Sequence, residues 1–332
     1  MSNKVRIYSC GGCAMNIVSE LEAAKGEVVP GFASMETCYI DTSRSNLINK
    51  KIDDELTFIL EGMDGSGKIR STNYQEIAKN VKGILLKFKP TQFNVVVHSA
   101  SGGSGSIIGS SLVSELKQRG HEVIVIMIGS TDTRIEIDNT IKSLKTYEAI
   151  AEKVGSPVVM HYVENSKQLS RQEANKHVKR AISLLMGLLS GSNEELDSRD
   201  LKHWLNYSDI AGTEPMLSSL NFVCSENELD MVGTVVSCAT LAAHGMETRL
   251  DAKPAYQAVG YPPEIWKSGN KGSLQMLGEH PIHYTVSDDF ITPTINQLTK
   301  TLREIDEVFG SRNARERIVS RNDNITDNGV IL

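Results

Sequence analysis

The sequence predicts an α/β protein with a parallel sheet covered by helices on both faces, followed by a smaller second α/β domain. Short apolar runs rich in β-branched residues alternate with amphipathic segments, which is typical of parallel sheets with helical crossovers. The loops that follow these runs are rich in Gly, Ser, Thr, Asn and Asp. With 332 residues, of which 40% are hydrophobic and 23% charged, the chain is long enough for two cores.

The elements of the first domain follow from these runs in order. The strands are predicted at 5–9, 56–60, 93–98, 122–128 and 157–162, and more weakly at 38–41. The helices are predicted at 16–24, 73–87, 107–119 and 139–153. In such a sheet the ligand binds where the carboxyl ends of the strands enter the helices. We therefore expect the polar loops at that edge to surround one anionic ligand.

The remaining elements are a long helix, a second set of strands and a charged C-terminal helix. An amphipathic helix is expected at 169–189, and the polar residues 190–195 end it. A strand is expected at 234–239. Pro293 marks a break before the last helix, at 294–320.

Four segments follow from this pattern. They are a ligand-binding domain, a central helix with its loop, a second α/β domain, and a C-terminal helix with a flexible polar tail beyond residue 320. Their predicted ranges are 1–168, 169–205, 206–290 and 291–332.

Composition argues against several functional classes. The net charge of −6 and the pI near 5.8 leave no basic excess for a nucleic-acid backbone, so no direct nucleic-acid partner is expected. The apolar stretches are too short or too interrupted to span a bilayer, and the N-terminal residues lack the pattern of a secretory signal. Five cysteines form an odd, sparse set, better explained as reduced thiols in a cytoplasm.

The segment 99–106, Ser-Ala-Ser-Gly-Gly-Ser-Gly-Ser, is the most informative motif. It follows a predicted strand and precedes a predicted helix. Adjacent glycines let backbone N–H groups approach an anion, and the helix N-terminus adds a favourable dipole. A flexible surface loop is the alternative, but the position between a buried strand and a helix favours phosphate binding.

Cys10-Gly11-Gly12-Cys13 also lies between a strand and a helix. A thioredoxin-like pair of redox cysteines would fit the C-x-x-C spacing. The same two glycines are what a first phosphate loop requires, in which case the cysteines are small packing residues. Nothing else in the sequence indicates redox chemistry, so we favour the phosphate loop.

Gly62 to Lys68 matches the P-loop pattern G-x-x-x-x-G-K, and a predicted strand precedes it. Residue 69 is Ile, however, where a P-loop needs Ser or Thr to hold Mg²⁺. A P-loop would also leave the 99–106 loop without a role. A P-loop nucleotide site is therefore the second hypothesis.

Four polar residues farther along carry weaker signals. Asp197 and Asp200 stand where a new helix begins, and taken alone they are best interpreted as helix caps. Asn165 and Asn175 are ordinary polar residues by themselves, although a carboxamide can pair with a guanine edge by donating and accepting together.

Taken together, these motifs resemble the tubulin superfamily. Residues 101–107, Ser-Gly-Gly-Ser-Gly-Ser-Ile, are similar to its G-G-G-T-G-S-G signature, with Ser101, Ser104 and Ile107 as replacements. Residues 11–16 correspond to its first phosphate loop and 62–71 to the loop that senses the γ-phosphate. Residues 195–200 resemble its N-x-D-x-x-D/E loop, with Glu195 in place of Asn. Within the superfamily the chain most resembles the tubulins encoded by large Pseudomonas phages.

The resemblance implies a GTPase that binds GTP, GDP and Mg²⁺ and assembles head to tail with copies of itself. Asp197 and Asp200 would be the catalytic residues, supplied to the nucleotide of the next subunit, and the C-terminal tail would contact a neighbouring subunit. The relatives' filaments position the nucleus-like phage compartment in the host cytoplasm. The candidate nucleotide-binding residues are Gly11, Gly12, Cys13, Asn16, Asp41, Gly65, Ser66, Gly67, Ser101, Gly102, Gly103, Ser104, Gly105, Ser106, Asn165 and Asn175.

Two other functional classes compete with this hypothesis. One is a monomeric P-loop kinase or NTPase, whose specific activity would not depend on protein concentration. The other is a filament scaffold that binds nucleotide without hydrolysing it. An interfacial GTPase would differ from both, because its activity would rise above a critical concentration.

Overall fold

The computed structural model of the protein describes residues 3–23, 32–48, 50–60, 62–63, 65–224, 228, 233–263, 280–288 and 290–313, with backbone only at 310–313. The strands within these ranges are β1 (Lys4–Cys10), β2 (Ser34–Asp41), β3 (Thr57–Ile59), β4 (Phe93–Ser99), β5 (Glu122–Ser130), β6 (Val158–Asn165), β7 (Leu217–Val223), β8 (Val235–Leu241), β9 (Tyr256–Gly260) and β10 (Ile282–Ser287). The helices are α1 (Gly11–Ala23), α2 (Tyr74–Lys87), α3 (Ser104–Gln118), α4 (Arg134–Val154), α5 (Arg171–Leu188), α6 (Ser198–Leu205), α7 (Ser208–Ala211) and α8 (Ile291–Asn313).

The described strands form one ten-stranded sheet in the order β3-β2-β1-β4-β5-β6-β7-β10-β8-β9. The strands from β3 to β7 are parallel, and β10 is antiparallel to both β7 and β8. Every strand of the predicted first domain is present, so the predicted α/β class with a mostly parallel sheet is confirmed. The strands of the predicted second domain continue the same sheet.

Hydrophobic cores lie on both faces of the sheet, because alternate residues of each strand point to opposite sides. In β4, Val95 and Val97 face one core and Val96 faces the other. Helices α1, α5 and α6 cover the first core, while α2, α3, α4 and α8 cover the second. The predicted helical layers on both faces are therefore confirmed.

Helix boundaries differ from the prediction where helices start inside the polar loops. Helix α1 begins at Gly11, α3 at Ser104 and α4 at Arg134, each earlier than its apolar periodicity indicated. Glycine and serine carry no apolar signal, so periodicity cannot detect the first turns of α1 and α3, which are rich in them. The first turn of α4 instead follows the Thr133 cap. These first turns point their free N–H groups toward the edge of the sheet where the loops meet.

The predicted break at Pro293 is wrong. Helix α8 begins at Ile291, so Pro293 lies in its first turn, where the missing proline N–H has no helical partner to lose. The predicted end of this helix at residue 320 and the tail 321–332 lie outside the described residues. In the described part of the chain, no helix is long and apolar enough to cross a membrane.

Capping explains the start of the two helices that shape the site. Thr133 caps α4 by accepting a hydrogen bond from the Glu136 backbone N–H. Ser170 and Glu173 form a reciprocal capping box at the start of α5. These caps fix the direction in which the first turn of each helix presents its side chains.

Candidate functional site

A cavity of about 330 Å³ lies at the carboxyl edge of β1, β4, β5 and β6. This is the edge at which the sequence predicted an anionic ligand. Nine of the candidate nucleotide-binding residues line it, namely Gly11, Gly12, Cys13, Asn16, Ser101, Gly102, Gly105, Asn165 and Asn175. It is also lined by Cys10, Asn46, Lys68, Ser99, Ile128, Gly129, Ser130, Glu136 and Arg171.

The two glycine loops lie against each other through their backbones. Gly11 has a φ of +79°, and a β-carbon added there would lie 2.9 Å from the Cα of Gly105. A β-carbon on Gly105 would in turn lie 2.8 Å from the carbonyl oxygen of Cys10. Because neither position has room for a side chain, both helix N-termini can approach the same ligand.

The N-terminus of α3 is where three loops meet. The Ser104 backbone N–H donates to the Ser66 hydroxyl at 3.0 Å, and the Thr42 hydroxyl donates to the Ser104 hydroxyl at 2.7 Å. The Ser106 hydroxyl donates back to the Gly102 carbonyl at 2.7 Å. Ser66, Ser104 and Ser106 therefore stabilise the phosphate loops from behind, since none of them lines the cavity.

The four other candidates, Gly65, Gly67, Gly103 and Asp41, also lie outside the cavity wall. Gly103 packs against Ser66, while Gly65 and Gly67 turn the 62–71 loop with positive φ angles of +72° and +55°. The Gly65 carbonyl accepts a hydrogen bond from Asn73 Nδ2 at 2.8 Å. The structure thus divides the candidates into residues that line the cavity and residues that support its wall.

Asp41 supports the wall and does not line it. Its carboxylate accepts hydrogen bonds from the Thr42 N–H and from Asn46 Nδ2, both at 2.7 Å. Burial raises the pKa of Asp41 above its ordinary value, and these hydrogen bonds lower it in part. Asn46, held in this way, covers Gly12, where a β-carbon would lie 2.5 Å from the Asn46 side chain.

Lys68 and Glu136 form an ion pair in the cavity wall, with Nζ 2.8 Å from Oε1. Glu136 is 7% exposed at its side chain and also accepts from Thr133 Oγ1 at 3.0 Å. Burial raises the pKa of Glu136, but the hydrogen bonds from Lys68 and Thr133 outweigh it, so the pKa lies below its usual value. The carboxylate is ionised and can accept further hydrogen bonds from a ligand hydroxyl.

Asn165 and Asn175 lie together at the end of the cavity formed by β6 and α5. Asn165 Nδ2 donates to Asp132 Oδ2 at 2.9 Å. The Oδ1 atom of Asn175 is buried and has no hydrogen-bond partner among the residues that the structure describes, which leaves an acceptor in the cavity wall that a ligand could satisfy. Arg171 lines the same cavity one helical turn before Asn175.

This arrangement fits a nucleotide. Backbone N–H groups and two helix N-termini suit phosphates at one end, while the unsatisfied Asn175 oxygen suits a donor on a base at the other. A Mg²⁺ site is not preformed in the part of the chain that the structure describes. Glu136 is the one carboxylate among the lining residues and is paired with Lys68, and the described residues contain no cluster of three potential metal ligands.

The cysteine pair at the cavity does not have the properties of a redox site. All five cysteines are free thiols, and Cys10 is fully buried. Burial raises the pKa of Cys13 to about 11 and raises the pKa of Cys10 well above its ordinary value. Redox cysteines need a stabilised thiolate and therefore a lowered pKa. The two thiols pack against the hydrophobic cores, Cys10 against one and Cys13 against the other.

The 62–68 segment does not have P-loop geometry. A P-loop lysine belongs at the start of a helix whose N-terminus faces the phosphates. Lys68 instead has a φ of +67°, and the following helix α2 begins only at Tyr74. The Lys68 side chain is also taken up by the ion pair with Glu136.

Asp197 and Asp200 lie beyond the opposite end of α5. Asp197 caps α6 and accepts from the Asp200 N–H at 3.1 Å, while Asp200 accepts from the Asp197 N–H at 3.0 Å. The interpretation of Asp197 and Asp200 as helix caps is therefore confirmed. Between Asn175 in the cavity and Leu188 at its end, α5 spans roughly 20 Å at about 1.5 Å per residue. The structure does not bring these carboxylates to the cavity of their own chain.

Sequence reasoning missed Asn46, Glu136 and Arg171, and it considered Lys68 only as part of a P-loop. Two signals were present. Thr133 and Glu136 have the spacing of a capping motif directly after a strand-exit loop, and Arg171 precedes Asn175 by four residues on one helix face. Asn46 had no such signal, because its place depends on Asp41.

Comparison with known proteins gives a consistent set of relatives. No protein-family model matches the chain. The chain is 28% identical over 330 residues to the phage tubulin-like protein of Pseudomonas phage PhiPA3, covering 99% of both chains. It is 30% identical over 250 residues to the phage tubulin-like protein of Pseudomonas phage phiKZ, covering 72% of this chain and 73% of the relative.

Solved structures of the same fold include filaments. The structure is similar to the protofilament of TubZ from bacteriophage PhiKZ, with a TM-score of 0.83, 25% identity and 99% of both chains covered. It is also similar to the PhuZ201 filament and to the GDP form of the phage tubulin PhuZ. Both have a TM-score of 0.80, 20% identity and 99% coverage of each chain, so these two show likeness of fold alone.

Proposed function

The chain belongs to the phage tubulin-like proteins, and from that premise we propose that it is a GTPase that polymerises head to tail and hydrolyses GTP between subunits. The observation that supports this proposal is what lies at each end of α5. The ligand cavity lies at the first end and the acidic loop of Asp197 and Asp200 follows the second.

In this proposal the nucleotide lies along the carboxyl edge of the sheet. The backbone of the loops at 11–13 and 101–105 binds the phosphates. Glu136 accepts a hydrogen bond from a ribose hydroxyl, and Asn175 accepts one from the guanine edge. A Mg²⁺ ion bound together with the nucleotide would supply neutralisation of charge on the phosphates; among the described lining residues the one carboxylate, Glu136, is paired with Lys68.

Hydrolysis requires a second subunit because the acidic loop cannot reach its own cavity. Phosphoryl transfer to water needs a positioned, polarised water molecule and charge compensation more than covalent chemistry. Asp197 and Asp200 of one subunit supply the carboxylates that orient this water over the γ-phosphate of the next. Activity is then coupled to assembly.

The contact is heterologous, since one surface carries the nucleotide and another carries the acidic loop. Such contacts propagate as a filament unless the rotation between subunits closes a ring. The relative solved as a protofilament supports assembly of this kind. By the same resemblance, we assign the filament to the host cytoplasm and to positioning of the nucleus-like phage compartment.

Phosphate release measured against protein concentration tests the proposal. We expect turnover per subunit to be near zero at low concentration and to rise above a critical concentration, at which filaments appear by sedimentation and electron microscopy with GTP. Constant turnover per subunit without filaments would support a monomeric NTPase. Filaments without phosphate release would support a non-hydrolysing scaffold.

A further inference from the structure

Tyr256, which lies on the sheet, is next to the acidic loop that carries Asp197 and Asp200. It is the first residue of β9, and β9 packs against α6. The start of β9 is fixed to β8 by the Ala255 N–H, which donates to the Val236 carbonyl at 3.0 Å, and by the pairing of Tyr256 with Ser237. The Tyr256 ring therefore approaches Asp200 from a rigid element.

The two carboxylate oxygens of Asp200 have different partners. Oδ2 accepts from the Asp197 backbone N–H at 3.0 Å, which is half of the capping box. Oδ1 accepts from the Tyr256 hydroxyl at 2.8 Å. Helix capping explains the hydrogen bond from the Asp197 N–H. It does not explain the hydrogen bond from Tyr256.

A carboxylate held by one oxygen can rotate about its last torsion, which has a broad energy minimum. With Tyr256 holding the other oxygen, the plane of the carboxylate is fixed. Each oxygen of a carboxylate can accept about two hydrogen bonds, so Asp200 keeps capacity to accept from water. Asp200 is half-buried and thus still accessible at the surface.

The environment of Tyr256 suits a permanent donor. Its ring contacts His203, which lies one turn after Asp200 on α6, edge-on at 5.5 Å between centroids. Burial and then the Asp200 carboxylate raise the pKa of Tyr256 above its ordinary value. The phenol therefore keeps its proton well above neutral pH.

We propose that Tyr256 is a positioning residue for GTP hydrolysis, orienting the Asp200 carboxylate toward the water that attacks the nucleotide of the neighbouring subunit. This inference rests on the function proposed above. The hydrogen bond between Tyr256 on β9 and Asp200 on α6 then has a catalytic purpose. It is not needed to hold β9 in the sheet, since β9 is already paired with β8.

Tyr256→Phe in the full chain tests this, because it removes one hydroxyl and keeps the ring. We expect turnover per assembled subunit to fall by about tenfold to a hundredfold, as misplaced catalytic groups do. The critical concentration with a non-hydrolysable GTP analogue and the midpoint of thermal unfolding should stay unchanged. Tyr261→Phe is the matched control, because Tyr261 stacks on His244 and does not contact Asp200, and it should hydrolyse like wild type.

A double-mutant cycle with Asp200→Asn separates positioning from a merely structural role. If Tyr256 acts through Asp200, Tyr256→Phe should cause no further loss in single-turnover hydrolysis by the Asp200→Asn variant. The inference would be overturned if Tyr256→Phe lowered the hydrolysis rate equally in the wild-type and Asp200→Asn proteins. It would also be overturned if Tyr256→Phe hydrolysed GTP at the wild-type rate while Asp200→Asn was inactive. Normal hydrolysis by Asp200→Asn would instead overturn the proposed function itself.

Discussion

Gly103 and Ser66 are in direct contact at the N-terminus of α3. A β-carbon on Gly103 would lie 2.8 Å from the Cβ of Ser66 and would overlap with its hydroxyl, which accepts a hydrogen bond from the Ser104 N–H at 3.0 Å. The 62–71 loop thus closes directly on the glycine loop. A side chain at Gly103 would force the two loops apart where phosphate binding is proposed.

We therefore predict that Gly103→Val abolishes nucleotide binding, whereas Lys68→Ala weakens it by about tenfold or less. Valine at 103 would displace Ser66 and the backbone donors of α3 together. Lys68 has a half-exposed side chain, and the backbone donors of the glycine loops do not depend on it. Binding of a fluorescent GTP analogue to both variants measures the difference.

Gly83→Ala is the matched control for the glycine change. A β-carbon at Gly83, on α2, would make an ordinary contact with Phe58 at 3.8 Å, so binding should be unchanged and the helix slightly stabilised. Loss of binding in Lys68→Ala together with retained binding in Gly103→Val would favour the P-loop hypothesis.

The fold was predictable because strand periodicity and helix periodicity are local properties. Val95 and Val97 on one face of β4 and Val96 on the other follow from a period of two. The resemblance to phage tubulins, carried by the glycine loops, is confirmed by the relatives. The pairing of β10 with β7 in the same sheet was not predictable. Local periodicity carries no information on which distant strands pair.

The lining of the cavity was predictable only where glycine loops form it. Glycine loops are recognisable by composition, and the loops at 11–12 and 101–105 do line the cavity. Glu136 and Asn46 could not be found in this way, because their roles depend on partners 68 and 5 residues away along the chain, Lys68 and Asp41. Proximity of this kind is a property of the folded chain alone.

Asn175→Ala should lower affinity for GTP while leaving weak ATP binding unaffected. The buried Asn175 Oδ1 has no partner in the described part of the chain, and guanine presents N–H donors on the edge where adenine presents an acceptor. We expect a loss of about 2 kcal/mol, or roughly thirtyfold in affinity. Competition binding measures this, with Asn80→Ala, a half-buried position on α2 outside the cavity lining, as the control. Equal affinity of the wild-type protein for ATP and GTP would contradict it.

Stability should fall in mild acid because of buried histidines such as His98. Burial lowers the pKa of His98 from 6.5 to about 4, so the neutral ring is favoured in the folded state. Its contribution is present above pH 6.5 and is lost as pH falls toward 4. Between pH 6.5 and 5 this loss amounts to at most about 2 kcal/mol. Urea unfolding at both pH values should show a flatter pH dependence for His98→Gln, and identical slopes would contradict the assignment.

Deleting residues 321–332 should raise the critical concentration for assembly by about tenfold, equivalent to about 1.4 kcal/mol per subunit contact. The segment carries Asp323 and Asp327 and ends in Val330-Ile331-Leu332, a mixture that can dock into a neighbouring subunit. Sedimentation of the truncated chain measures the change, and Asp323→Asn with Asp327→Asn separates the charges from the apolar end. A critical concentration identical to that of the wild type would show that residues 321–332 do not contribute to the contact between subunits.

Asp200→Asn should leave GTP binding and filament formation intact and reduce hydrolysis by about 10²–10³, as loss of one transition-state contact does. Asparagine is preferable to alanine here because the capping hydrogen bond from Asp197 is real, and its loss would cost about 1 kcal/mol of stability. The Asn oxygen can still accept that bond. Asp197→Asn should behave similarly, and Asp209→Asn, an exposed aspartate on α7, controls for the change in charge.

Phosphate release and sedimentation measured on the same sample decide between catalysis and capping. A carboxylate that orients water acts on the transition state and leaves the affinity for the bound nucleotide unchanged. Filaments of Asp200→Asn should therefore persist where wild-type filaments disassemble. If Asp200 is only a cap, the variant will assemble fully and release phosphate at the wild-type rate, and that result would end the case for hydrolysis between subunits.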